Sequence, residues 1–157
     1  MDWRELVTEA FQVRRSRSED VPAFPRFEPG ASEESLNRAE DALGQRLPED
    51  LRAFLGESDG IQTILEIDGG QIEDMWVVQT LEEVVKGHRD PWRVRIGPPA
   101  EWLVFASAGV DGIDFAYDRA EESGSIWAWY PMESRRQLVG KSLAEFLRGW
   151  IEGAITV

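Results

Sequence analysis

Between Gly60 and Tyr130 the apolar residues fall in short runs, most of them flanked within a few residues by glycine, aspartate or proline. That punctuation restricts this stretch to strands, turns and short helices. Thr63–Ile67 and Met75–Val78 read as strands, with a turn at Asp68-Gly69-Gly70. Thr80 can cap a short helix carrying Leu81, Val84 and Val85. Residues 90–101 contain Pro91, Pro98 and Pro99 and read as an irregular crossing. Trp102–Ala106 is continuously apolar, as in a central strand covered on both faces. After a turn at Gly109-Val110-Asp111-Gly112 comes a strand over Ile113–Tyr117. Its period of two puts Phe115 and Tyr117 on one face, and Asp114, Ala116 and Asp118 on the other. Arg119–Gly124 is a polar loop, and the strand Ser125–Tyr130 puts Trp127 and Trp129 on one shared face.

Helical spacing brackets this stretch. Trp3, Leu6, Val7, Ala10 and Phe11 form one helical stripe. The segment that follows, through Pro22, Pro25, Pro29 and Gly30, reads as a linker, because proline excludes helix there. Ser32 caps a helix whose face is Leu36, Ala39 and Leu43, and Gly44 stops it. Pro48 sits at the start of another helix, with Leu51, Phe54 and Leu55 as its buried face, ended by Asp59-Gly60. Ser142 caps a last helix with the stripe Leu143, Phe146, Leu147, Trp150 and Ile151. The expected class is α+β: a mainly antiparallel twisted sheet of about five or six strands, with helices packed against it. Residues 1–30 are read as an N-terminal helix and proline-containing linker, and 31–157 as the main domain.

The formal charge of −13 is concentrated in one part of the chain. Residues 31–90 hold 15 acids against 5 bases, whereas residues 91–157 hold 9 against 7. Such a field repels phosphate backbones, so no nucleic-acid partner is expected, and it favours a basic protein. The absence of cysteine removes disulfides, thiol nucleophiles and thiolate zinc sites. No apolar run is long enough to cross a bilayer, and the start Met1-Asp2-Trp3-Arg4-Glu5 lacks the basic, apolar pattern of a signal peptide. The expectation is a cytoplasmic monomer or weak homodimer, with no membrane association.

Catalytic signals are weak. His88, the sole histidine, is flanked by Lys86 and Arg89, which disfavour its protonated form. No serine sits in a nucleophile elbow, and Gly69-Gly70 lacks the residues of a phosphate-binding loop. Asp111, Asp114 and Asp118 are the best metal candidates. Yet Asp114 and Asp118 lie four residues apart on an extended strand, far for one ion. No enzyme activity, cofactor or metal is expected. The candidate contact surface joins an aromatic pair, Trp127 and Trp129, to the acids Asp111, Asp114, Asp118, Glu121 and Glu122. Glu73 and Asp74, in the candidate loop after Gly69, add to it. Tryptophan is enriched at binding hot spots, although most of the seven here are expected in the core.

The segment from Ala31-Ser32-Glu33-Glu34-Ser35-Leu36 to Leu43-Gly44, then Leu47-Pro48-Glu49-Asp50-Leu51 to Phe54-Leu55 and Ser58-Asp59-Gly60, resembles the opening of SUKH-superfamily domains. Trp102–Ala106, Gly109–Gly112, Ile113–Asp118, Ile126–Trp129 and the helix Ser142–Ile151 follow in the family's order. The resemblance covers about Ala31 to Gly153, and a yeast cell-wall-assembly regulator carries the same kind of domain. It implies a non-catalytic binding module. Bacterial members resemble immunity proteins that block the active site of a toxin, often a nuclease or deaminase. A basic toxin domain is then the implied partner, and the alternative is a scaffold or regulatory interaction domain.

Overall fold

The computed structural model describes residues 1–157, except the side chains of Trp92 and Val94. Most helices begin where a short polar side chain takes up a free backbone N–H. Asp2 accepts from Glu5 N at 2.9 Å and opens α1 (Trp3–Arg17). Ser32 accepts from Ser35 N at 3.1 Å and opens α2 (Glu33–Leu43), which Gly44 closes. Pro48 leads into α3 (Glu49–Glu57), with two acids in its first turn. Thr80 caps α4 (Leu81–His88), and Pro91 begins the short α5 (Pro91–Ile96) inside the stretch expected to be irregular. Ser142 caps α6 (Leu143–Glu152).

The strands form two antiparallel sheets. The first orders β1 (Ala23–Phe27), β2 (Ile61–Ile67) and β3 (Gly70–Val78) side by side. The second orders β4 (Trp102–Ser107), β5 (Asp114–Asp118), β6 (Ile126–Tyr130) and β7 (Arg135–Gly140). The molecule is therefore α+β, with antiparallel pairing throughout and helices packed on the sheets.

Three elements differ from the sequence reading, each because pairing at a distance decided them. The proline segment is not wholly a loop, since β1 pairs with β2 and sets Pro25 opposite Thr63. A proline is tolerated there because β1 is an edge strand. β7 begins with Arg135-Arg136 and carries only the adjacent apolar pair Leu138-Val139, with no alternation to mark a strand, yet it pairs along β6. β4 is an edge strand of its sheet rather than a central one. Its burial comes from cover on both faces and along the edge, where Gln79 N donates to Phe105 O at 2.9 Å.

One turn and one close backbone approach position these elements. Asp68 and Gly69 both have positive φ, 49° and 77°, and form a tight two-residue hairpin that leaves Gly70 in β3 opposite Ile67. Gly30 lies against the end of α3, where an added Cβ would stand 2.0 Å from Gly56 O.

The main core lies between the inner face of the second sheet and the helices. Leu103, Phe105, Phe115, Tyr117, Ile126 and Ala128 meet Leu51 and Phe54 of α3 and Phe146 and Leu147 of α6 in one cluster. Phe146 packs against Phe115 and Phe105 with ring centroids 4.7 and 5.6 Å apart. Asp50 ties this core together. One carboxylate oxygen accepts from Tyr117 Oη at 2.9 Å, and the other from Leu143 N at 3.2 Å.

Candidate partner-binding face

The strand alternation that sends Phe115 and Tyr117 inward sends Asp114, Ala116 and Asp118 to the outer face of the second sheet. On that face Trp102, Val104 and Ala116 form a second, smaller apolar cluster, with Trp127 and Trp129 packed against it. Both indoles are half-buried and share the face, as their period of two requires. Trp129 meets Trp102 edge-on at 5.7 Å. The Nε1 atoms of Trp127 and Trp129 are buried, and neither finds an acceptor among the described residues. Buried indole N–H groups usually find a partner, so two orphans on one face stand out.

The acids on this face are held by arginines. Asp118 Oδ2 and Glu121 Oε1 lie 3.2 and 3.0 Å from the same atom, Arg136 Nη1. Asp118 Oδ1 accepts from Ala120 N at 3.0 Å. The Arg136 guanidinium sits 4.0 Å from the centre of the Trp127 ring. Register explains the meeting, because Arg136 lies opposite Trp129 and Leu138 opposite Trp127. Asp114 Oδ2 lies 3.7 Å from Arg93 Nε on α5. Burial pushes the Asp114 carboxyl above its ordinary range, and Arg93 offsets part of that.

The candidate residues thus separate by place. Asp114, Asp118, Glu121, Trp127 and Trp129 are brought together on one face. Asp114 and Asp118 are shielded, with side chains only 16% and 11% exposed, whereas Glu122 is exposed in the neighbouring loop. Asp111 stands exposed at the β4–β5 turn, with φ at 53°. Glu73 and Asp74 lie on β3 of the other sheet rather than in a loop, and Arg26 Nη1 holds Glu73 at 2.8 Å. That contact, first through its hydrogen bond, draws the Glu73 carboxyl below its ordinary value. Arg136, Arg93 and Leu138 were missed by the sequence reading. Nothing in the sequence flagged Arg136, because Leu138 and Val139 are adjacent and the segment Arg135–Gly140 does not alternate.

The remaining chemistry near the face is sparse. His88, Arg93, Trp102, Val104 and Pro98–Ala100 line a cavity of about 100 Å³, room for only a few waters. The His88 imidazole is drawn below its ordinary value, first by burial and then by Arg93 and Arg89. Among the described residues no group of three or more His, Asp or Glu side chains is arranged to hold a metal ion. No helix among them is long and apolar enough to cross a membrane.

The model of the SMI1 / KNR4 family (SUKH-1) matches residues 30–149 of the chain. No curated protein matches it. The matched span contains all of β4–β7 and leaves out α1 and β1.

Proposed function

Because the chain belongs to the SMI1 / KNR4 family (SUKH-1), whose domains are toxin-immunity or regulatory modules, we propose that it is a non-catalytic immunity protein. It binds a basic toxin domain of the nuclease or deaminase kind and occludes the active site by shape and charge. The observation that carries this reading is the outer face of β4–β7, where two half-buried tryptophans stand beside carboxylates. Aromatic residues with a polar rim are what hot spots are built from. Trp127 and Trp129 supply apolar contact, Glu121 and Glu122 form the rim, and Asp114 and Asp118 set the local charge from beneath. Asp111 at the adjoining turn, and Glu73 and Asp74 on β3, extend the acidic contact area.

The face is not where most of the acid lies. The excess is in residues 31–90, on α2–α4 and the β2–β3 hairpin. That charge acts at a distance. It raises the encounter rate with a basic partner, while the face supplies the short-range fit. The test is recovery of the partner with the tagged protein from its own host, followed by a salt titration of the complex. A basic toxin domain whose association slows as salt rises supports the reading. A housekeeping complex in its place would move the assignment to a regulatory module.

A further inference from the structure

Arg136 occupies an unusual position for a surface arginine. Its guanidinium lies over Trp127 and meets two carboxylates, Asp118 and Glu121, yet it is still 42% exposed. Both ion pairs run through a single nitrogen, Nη1. A guanidinium binds carboxylates best when separate nitrogens of its planar fork serve separate oxygens. Arg136 reaches this place from β7, the edge strand next to the strand that bears Trp127, and its approach leaves the fork only partly used.

We propose that this place is a guanidinium subsite, filled by Arg136 in the free protein, from which an arginine of the partner displaces it. The inference rests on the immunity reading for its partner. The subsite itself rests on the guanidinium already seen in it, stacked on an indole and bracketed by acids. An arginine arriving from solvent can present one nitrogen to Asp118 and another to Glu121 while keeping the ring contact. Lysine fits less well, because its ammonium is a compact, strongly hydrated charge with no plane to lay on Trp127. Arg136, freed, swings into solvent from the sheet edge. The partner is therefore recognised by an exposed arginine, of the sort that nuclease clefts use to hold phosphate.

The test removes the internal occupant. Arg136→Ala, with Arg136→Gln as the second variant, is titrated with N-acetyl-argininamide and, in parallel, N-acetyl-lysinamide. The readout is the indole N–H signal of Trp127 in ¹H–¹⁵N spectra. The arginine derivative is expected to bind the variants about tenfold or more tightly than the wild type, the effect of one charge-assisted hydrogen bond. The lysine derivative should show no such gain, and Asp118→Asn with Glu121→Gln in the Arg136→Ala background should abolish it. Equal midpoints in wild type and variants, or equal binding of lysine and arginine derivatives, would overturn the subsite. If the subsite fails while a toxin is recovered, the immunity reading stands alone. If argininamide enters the variants and no toxin is recovered from the host, the subsite stands and its assignment to a toxin falls.

Discussion

Single side chains carry two structural burdens here that can be weighed. Asp50 joins α3, β5 and α6 through its bonds with Tyr117 and Leu143. Burial, and then the neighbouring Asp50, push the Tyr117 hydroxyl well above its ordinary value, so it remains a donor. Tyr117→Phe removes one bond to a carboxylate and should lower stability by about 1.5–3 kcal/mol, read from urea midpoints. Asp50→Ala should cost more, since it leaves both the Tyr117 hydroxyl and Leu143 N–H without their acceptor. Asp114 gives a pH effect of definite sign. With its carboxyl raised by burial, the fold favours the protonated form. That contribution is present in full below the unfolded value and is lost as pH rises through the raised folded value. Asp114→Asn lacks this loss. Its stability relative to wild type should therefore climb as pH is raised from about 4 towards neutrality. A flat difference between the two proteins would contradict the account.

At the scale of elements, what the sequence made legible is what neighbours in the chain decide. Ser32, Thr80 and Ser142 cap helices through N–H groups three residues on. Asp68-Gly69 makes its turn from its own φ angles. Trp127 and Trp129 share a face because two residues separate them. The rest depended on distant partners. β1 exists because β2 accepts it, and β4 is buried at an edge because the chain after β3 covers it. Arg136 reached the face only through a strand with no alternating apolar pattern, so Trp127, Asp118 and Glu121 were legible and the cation that joins them was not. The entry of the chain into α2 offers an element-scale prediction. Gly30 runs so close to the end of α3 that Gly30→Ala must move backbone, because its Cβ would meet a carbonyl rather than a side chain. A cost of about 1–3 kcal/mol is expected, as for other overpacked sites. A thermal midpoint equal to wild type would show that the two segments separate freely.

Across the whole molecule, charge and contact are divided. The strongly acidic segment, residues 31–90, makes the long-range field, while the second sheet makes the aromatic face. Salt should therefore act mainly on the rate of association, and substitutions on the face mainly on the rate of dissociation. Replacing exposed acids such as Glu82 and Glu83 on α4 should slow association at low salt while leaving dissociation nearly unchanged. The central claim, that the outer face of β4–β7 is the surface that neutralises a toxin, is tested most directly by one measurement. The recovered toxin domain is titrated calorimetrically with wild type and with Trp127→Ala, each first shown to be folded. The variant is expected to lose about 2 kcal/mol or more of binding free energy, the size of a hot spot. Unchanged affinity in a folded Trp127→Ala would contradict it, and would put the contact on another surface.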